Sequence, residues 1–444
     1  MPTAAEQAIN NMTAAQAMPC AAPSGTATCP EGRIRIGVFF DGTNNSMYRD
    51  RGTNPNVVSE NNTITNVVKL HDLYRQQGSI QTRIYHHGVG TDSSAPRGVG
   101  TADRAYDWRG NAFGAGGKAR VAWGLQQLSE FFSRGTNHLA REKLFDTYGF
   151  SRGAAIARDF VNNVRTKGLD NLSRRNGWKY RAVGRVVIRE PAYHRHSGVI
   201  AWFLGVFDTV ASFGLGGLES GNDLAGYDLF VDHTWVRRTV HMAGEDEIRG
   251  NFPLSSLFMD PNNAGSQRPS AYRDVMIEVW YPGVHSDVGG GYVMVAAVPA
   301  RPARTEYIPN GYGMPTPVRY PAEPYRPPIK PDLSRIPLRD MHRASVRAGV
   351  PLNALPNPQG PADLEREYAN YDAYRSSKPY HGRYIQTFPS EQYRRMYYEE
   401  RDRAASIAYL KQHYIHDSRW STDRLLDRKQ RTVLYMGPQP ARRP

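Results

Sequence analysis

Three residue types that together perform nucleophilic catalysis occur along this chain, each in a distinctive setting. Ser151 lies in Gly149-Phe150-Ser151-Arg152-Gly153, between the apolar run at 143–148 and an apolar helical pattern. Asp208 and His285 each follow another apolar run. A serine hydroxyl becomes a nucleophile when a histidine accepts its proton and a carboxylate holds that histidine. The pattern therefore favours acyl transfer at Ser151, with His285 as general base and Asp208 as acid.

The spacing Gly149-x-Ser151-x-Gly153 is a weak signal when taken alone, because glycine and serine are common residues. Between a strand and a helix, however, it is typical of a nucleophile elbow. Both glycines then have a reason, since the turn is sharp and the helix must pass close to the sheet. The alternative is that Ser151 is only a small residue in a tight turn.

Other residues compete for the acid and base roles. Asp287 lies in the same glycine-rich loop as His285 and is the second candidate acid, able to orient that histidine or to bind a cation. His416 is the reserve base, although a structural role is expected for its segment. Asp208 has the alternative role of capping the segment that follows it, and His285 that of a structural loop histidine.

The oxyanion formed in acyl transfer needs backbone donors close to the nucleophile. One is expected to be the amide of Arg152, which directly follows Ser151, and the second an amide of the loop 41–45. Gly42 allows close approach there. Asp41 is expected to fix this loop, with Thr43 or a backbone amide as its partner.

Neither a metal nor a cofactor is predicted. No group of cysteines and histidines has the spacing of a zinc site, and both cysteines, Cys20 and Cys29, lie near the N-terminus. The segment 114–119 resembles a phosphate-binding loop but lacks its first glycine and its Ser/Thr. It is interpreted as the start of a helix.

Apolar runs that alternate with helical patterns are expected to position these residues. Such runs predict a mostly parallel sheet with helices on both faces, an α/β-hydrolase-like fold with its site at the carboxyl ends of the strands. Strands are predicted at 33–40, 82–89, 143–148, 186–189, 200–207, 240–243 and 275–281, and helices at 63–76, at 114–132 and after Ser151.

The organisation predicted along the chain has three parts. Residues 1–30 read as a flexible arm, residues 31–345 as the catalytic domain, and residues 346–444 as a helical, basic region that packs on or caps that domain. Prolines crowd residues 297–332, so this insertion is expected to be a loop or lid without regular helix or sheet.

Composition and charge narrow the class of protein. The 444 residues are 40% hydrophobic with a net charge of +14, which suggests an anionic partner or simply an arginine-rich surface. No apolar run is long enough for a transmembrane helix, and the first residues lack the basic start and apolar run of a secretory signal. No nucleic-acid-binding motif occurs, so nucleic acid is not an expected partner.

Four segments in this order resemble a known family. FFDGTNN, GFSRGAA, FDTVASFG and VWYPGVHSDVGGGY are similar to the motifs of the bacterial α/β-hydrolase family that contains the type VI secretion phospholipase effectors, and 333–341 is similar to the helix that follows the family's His loop. The resemblance covers about residues 33–345. The family's Ser, Asp and His motifs fall on Ser151, Asp208 and His285.

The resemblance implies phospholipase A activity on membrane glycerophospholipids, and a Ser-His-Asp mechanism needs no metal. It also implies synthesis in the bacterial cytoplasm, loading on type VI spike or adaptor proteins, delivery to the periplasm or membrane of a target cell, and a cognate immunity protein. The proline-rich insertion and the C-terminal region depart from the family pattern. Two other readings remain: another carboxylesterase or thioesterase on the same scaffold, and a non-catalytic basic binding protein.

Overall fold

A computed structural model describes residues 4–11, 32–50, 63–91, 115–183, 186–212, 226–249, 252–258, 275–309, 315–377, 391–417 and 433–434. The strands are β1 (Arg33–Phe40), β2 (Gln81–His86), β3 (Glu142–Phe150), β4 (Asp170–Val183), β5 (Val186–Arg195), β6 (Val199–Phe207), β7 (Val236–Gly244), β8 (Leu254–Ser255), β9 (Met276–Tyr281), β10 (Arg304–Pro309), β11 (Pro315–Tyr320) and β12 (Val433–Leu434). The α-helices are α1 (Ala4–Asn11), α2 (Met47–Asp50), α3 (Asn66–Leu73), α4 (Ala115–Ser133), α5 (Arg152–Lys167), α6 (His285–Gly289), α7 (Arg335–Arg347), α8 (Ala362–Ser376), α9 (Glu391–Arg401) and α10 (Ala405–His413).

A parallel sheet of six strands organises the fold, in the order β2-β1-β3-β6-β7-β9. Its strands are almost continuously apolar because helices cover both faces. One face buries residues of α3, α7 and α8, and the other buries residues of α4 and α5. The predicted fold class is therefore confirmed.

The site position follows from the strand order. The chain runs from β1 outward to β2 and then returns to β3 on the other side of β1. In open α/β folds, ligands bind at the carboxyl edge of the sheet where the strand order reverses in this way. We call the space beside the loops that leave β1 and β3 the crevice. Ser151 directly follows β3, and the loop 41–45 directly follows β1.

The proline-rich insertion is more regular than predicted. Strands β10 and β11 pair antiparallel, and three further pairs continue their register: Val295–Ile329, Val298–Arg326 and Arg301–Glu323. Each of the three pairs exchanges two backbone hydrogen bonds of 2.8–3.0 Å. The pairs recur every third residue, and the prolines between them lack only an N–H that the ladder does not use. The expectation of no regular sheet was wrong; we call 295–309 and 315–329 the ribbon.

The two termini also contribute to the body. In the predicted arm, residues 4–11 form helix α1, whose Ile9 is fully buried and whose Glu6 pairs with Arg343 at 2.7 Å. This part of the prediction is corrected, and residues 12–31 lie outside the described residues. Side chains of α8 and α10 share one core with the sheet, and the predicted boundary at residue 345 falls within α7. Within the described ranges, no helix has both the length and the apolar character needed to cross a membrane.

Candidate active site

Ser151 occupies a strained turn between β3 and α5. Its backbone has φ 59° and ψ −126°, a region that residues with a Cβ rarely adopt, and the residue is 3% exposed. A Cβ on Gly149 would lie 2.5 Å from the carbonyl oxygen of Gly153, and one on Gly153 would lie 2.3 Å from that of Asp41. The turn therefore closes only with glycine at both positions, which is the geometry of a nucleophile elbow.

We expect Gly153→Ala to lower the free energy of unfolding by about 3 kcal/mol or more, because α5 must move away from the loop after β1. Urea unfolding followed by circular dichroism measures this. The matched control is Gly135→Ala: Gly135 has a φ of +51° but no atom near its missing Cβ, so it reports backbone strain alone. Equal losses in the two variants would show that α5 is free to shift.

Asp208 and His285 are brought together although 77 positions separate them. The Nδ1 atom of His285 lies 2.6 Å from Oδ2 of Asp208, and both side chains are buried. The other carboxylate oxygen, Oδ1, accepts a hydrogen bond of 2.8 Å from the amide of Gly244. With Nδ1–H donating to Asp208, the neutral ring presents Nε2 as an acceptor, which is the tautomer of a general base.

The pair lies beside the elbow. The ring of Phe150, the residue before Ser151, lies 4.6 Å from the ring of His285, and the amide of Val210 donates to the carbonyl of Ser151 at 3.3 Å. No hydrogen bond joins the Ser151 hydroxyl to the His285 ring in the part of the chain that the structure describes. Such bonds commonly form only when substrate is bound.

The surroundings of His285 favour the neutral ring. Phe252 packs edge-on against it at 5.0 Å, in addition to Phe150 at 4.6 Å. Burial lowers the pKa of His285, and the hydrogen bond and charge of Asp208 oppose this only in part, so the pKa lies below its ordinary value of about 6.5. The neutral ring is therefore the main form at neutral pH.

A buried pair below Asp208 supports its backbone. His241 donates from Nδ1 to Glu278 over 2.9 Å, and its Nε2 accepts from the amide of Thr209 at 3.1 Å. Burial raises the pKa of Glu278, but the hydrogen bonds from His241, Leu257 and Ser256 outweigh it and lower that pKa. The only sequence signal for His241 is its position within the predicted strand at 240–243.

Asp287 lies away from the His285 ring and pairs with the reserve base instead. Its Oδ1 is 2.6 Å from Nδ1 of His416, and its Oδ2 accepts from the amides of Val284 and His416 at 3.0 and 3.1 Å. The Nε2 atom of His416 donates to the carbonyl of Val293 at 3.2 Å. This second pair therefore fastens the C-terminal region to the His285 loop, with no ring nitrogen left for proton transfer.

Asp41 fixes the loop after β1 through partners that the sequence only partly indicated. Its Oδ1 accepts from the amide of Gly42 at 2.8 Å and from the hydroxyl of Thr65 at 2.7 Å, and its Oδ2 accepts from the hydroxyl of Tyr85 at 2.6 Å. Burial raises the pKa of Asp41 to about 6, although these hydrogen bonds lower it. The expected partner Thr43 instead accepts from Arg152 at 3.3 Å.

Not every backbone amide near Ser151 is free to donate a hydrogen bond to an oxyanion. The amide of Gly42 is already engaged by Asp41. Within the described residues, the amides of Thr43 and Arg152 have no acceptor. Two unengaged N–H groups, one on each side of the crevice, are what an oxyanion requires. The sequence placed the second donor in the loop 41–45 without choosing a residue, because it does not show how Asp41 folds back onto the amide of Gly42.

The C-terminal region holds the loop after β7 with buried charges. Arg375 and Arg401 both pair with the fully buried Glu245 at 3.0 Å, and Arg401 also contacts Asp246 at 2.6 Å. The amide of Gly283 donates to Asp246 at 2.8 Å, which links this loop to the His285 loop. The described residues hold no group of three or more His, Cys, Asp or Glu side chains arranged for a metal ion.

Two solved structures are similar to this chain, and the first of them agrees with the fold. The crystal structure of an uncharacterized protein from Pseudomonas aeruginosa is similar to 78% of this chain, with 22% identity and a TM-score of 0.50, and the chain covers 51% of that protein, about half its length. The Tle1 effector bound to the VgrG spike of the type 6 secretion system is 18% identical, with a TM-score of 0.49, over 79% of this chain and 83% of that one. No curated protein sequence matches.

A family model settles the relationship. The model described as "T6SS, Phospholipase effector Tle1-like, catalytic domain" matches residues 35–190 and 185–343, well over half of the chain. The match spans the elbow, the Asp208–His285 pair and the loop after β1, and it confirms the resemblance drawn from the four motifs. This chain thus belongs to the family of Tle1-like phospholipase effectors of the type VI secretion system.

Proposed function

We propose that the chain is a serine phospholipase of the A type, which hydrolyses an acyl ester of membrane glycerophospholipids. The observation that carries this is the buried Asp208–His285 pair beside the strained Ser151. The family supports the substrate class, since its model describes phospholipase effectors. Hydrolysis at such a site needs only groups that this chain supplies.

In the proposed reaction, Oγ of Ser151 attacks the ester carbonyl while Nε2 of His285 takes the hydroxyl proton. Asp208 holds the ring and stabilises the imidazolium that forms. The tetrahedral intermediate then expels the glycerol oxygen, which takes the proton from His285 and leaves as lysophospholipid. Water, deprotonated by the same ring, attacks the acyl-enzyme and releases the fatty acid.

The oxyanion of the intermediate is assigned to two amides, those of Arg152 and Thr43. They flank the elbow, because Arg152 follows Ser151 and its side chain contacts the hydroxyl of Thr43. Each donor of this kind typically contributes roughly 3 kcal/mol to transition-state stabilisation. Gly42 serves close packing, since a Cβ there would lie 2.5 Å from the Phe150 ring. The carboxylate of Asp41 keeps the Gly42 amide out of the hole.

We expect kcat/KM to fall as the pH decreases through the pKa of His285, because the protonated ring cannot accept the serine proton. Burial and the charge of Arg249 lower this pKa, while Asp208 and Glu247 raise it, and the net shift is downward. The acid limb should therefore have its midpoint below about pH 6.5. A pH–rate profile on a soluble short-chain ester measures it; with the fold intact by circular dichroism, a midpoint above about 7 would contradict the assignment.

We also propose a cellular role, which is supported by the family to which the chain belongs. The chain would be made in the bacterial cytoplasm, carried by a type VI spike or adaptor protein and delivered to the periplasm or membrane of a target cell. The similar Tle1 structure contains a VgrG spike. A cognate immunity protein would block the crevice in the producing cell.

The proposal is tested by fatty-acid release from vesicles of phosphatidylethanolamine and phosphatidylglycerol, with EDTA present. Lipids labelled separately in the sn-1 and sn-2 chains identify the ester that is cut. We expect release without added metal ion. Hydrolysis of soluble esters or thioesters, but not of vesicles or monomeric phospholipid, would instead favour a carboxylesterase or thioesterase on this scaffold.

A further inference from the structure

The side chain of Arg152 spans the crevice next to Ser151. Its Nε atom donates to the carbonyl of Ser212 at 2.9 Å, in the loop after β6, and its Nη1 donates to the hydroxyl of Thr43 at 3.3 Å, in the loop after β1. The residue is partly exposed. Its guanidinium therefore bridges the two loops that flank the nucleophile.

This guanidinium has fewer partners than a structural arginine of the same helix. Arg158 is fully buried, and all three of its side-chain nitrogens donate to the carbonyls of Leu229, Ser255 and Ser256. Arg152 pairs with no carboxylate, and its Nη2 has no hydrogen-bond partner within the described ranges. Burial lowers the pKa of Arg152 to about 10, and the nearby Tyr227 opposes this only in part.

A second group in the same place lacks a partner. The hydroxyl of Ser212, whose carbonyl accepts from Arg152, is fully buried and makes no hydrogen bond within the part of the chain described. Buried hydroxyls are nearly always hydrogen-bonded in proteins. A guanidinium edge and a hydroxyl without acceptors, on two residues joined by a hydrogen bond, form a complement to an anion that brings several oxygen atoms.

We propose that Arg152, with the hydroxyl of Ser212, binds the phosphodiester of the phospholipid whose ester lies at Ser151, and so selects phospholipids over neutral glycerides. This rests on the proposed function. The phosphodiester of a glycerophospholipid is attached to the glycerol carbon next to an ester-bearing carbon, so its charge lies only a few bonds from the scissile carbonyl. Guanidinium N–H groups match phosphate oxygens in a fork geometry that lysine cannot reproduce.

The test compares two monomeric substrates that have the same chains: dihexanoyl phosphatidylglycerol and neutral dihexanoylglycerol, both below their aggregation concentrations. Selectivity is the ratio of the two kcat/KM values. Arg152→Gln should lower this ratio at least tenfold, mainly through KM for the phospholipid, and Arg152→Lys should restore it only in part. The matched control is Arg165→Gln, which removes the same charge from the other end of α5, where Arg165 pairs with Asp232 at 2.9 Å.

Inhibition by inorganic phosphate separates a free anion from a lipid phosphodiester. If phosphate inhibits hydrolysis of the neutral ester in the wild type but not in Arg152→Gln, and the selectivity ratio also falls, the assignment holds. A lower ratio without phosphate inhibition also supports it and shows that the intact diester is required. An unchanged ratio overturns it, even if phosphate inhibits, because Arg152 then only braces the two loops. Absence of any Ser151-dependent hydrolysis would refute the proposed function itself.

Discussion

Ser151→Ala is expected to reduce fatty-acid release from phosphatidylglycerol vesicles by about 10⁴-fold or more, the loss typical of a removed serine nucleophile. The proposed oxyanion donors and the Asp208–His285 pair remain in this variant, but no oxygen is left to form the acyl-enzyme. Initial rates in a pH-stat with EDTA give the comparison. The alanine keeps the strained backbone, which has a φ of 59°, so the elbow itself is preserved.

The control for this variant is its fold. Its circular dichroism spectrum and thermal midpoint should match those of the wild type, because Oγ of Ser151 forms no described hydrogen bond that folding depends on. Residual activity above about 1% in a well-folded Ser151→Ala protein would place the nucleophile elsewhere in the chain.

Asp208→Asn is expected to lower kcat by about 10⁴-fold, since an amide at this position favours the wrong tautomer of His285. Asp287→Asn is the matched comparison. It removes the same charge from a carboxylate two residues beyond His285, but that carboxylate is bound to His416 at 2.6 Å. The second variant should lose far less activity and should instead unfold at a lower temperature, because the C-terminal region is released from the His285 loop.

The pair of variants decides which carboxylate is the acid. Activities on a soluble short-chain ester and thermal midpoints are measured for both proteins. A larger loss of kcat in Asp287→Asn than in Asp208→Asn, with both folded, would reverse the assignment. If both fell equally and both melted early, the two carboxylates would have a shared structural role.

The sheet could be predicted from the sequence because its strands are buried on both faces. A run such as Ile200–Phe207 is apolar throughout, and a residue that can take part in catalysis, Asp208, follows directly where it ends. Carboxyl ends of parallel strands meet at one edge, so Asp208 and His285 were expected to be neighbours, and 2.6 Å separates their side-chain atoms. The glycines of the elbow were also predictable, because the sharp turn that needs them is formed by neighbouring residues of one short segment.

What could not be predicted depends on contacts between distant segments or on an unusual period. Asp287 and His416 are 129 positions apart, and no local pattern links them. The Gly42 amide is unavailable because Asp41 folds back onto it. The hydroxyls of Thr65 and Tyr85 hold the Asp41 carboxylate in that position. In the ribbon, the pairs recur every third residue, a spacing that belongs neither to an amphipathic helix nor to an ordinary strand.

The ribbon also leaves and rejoins the body at one place. Val295 and Ile329 exchange two backbone hydrogen bonds of 2.9 and 3.0 Å, and the amide of Lys330 is held by the carbonyl of His413 at 2.8 Å. Both ends of the ribbon are fixed side by side. The length of the ribbon therefore does not affect the positions of the strands in the sheet. We therefore expect that a label or a foreign loop inserted between residues 309 and 315 would leave Ser151, Asp208 and His285 where they are.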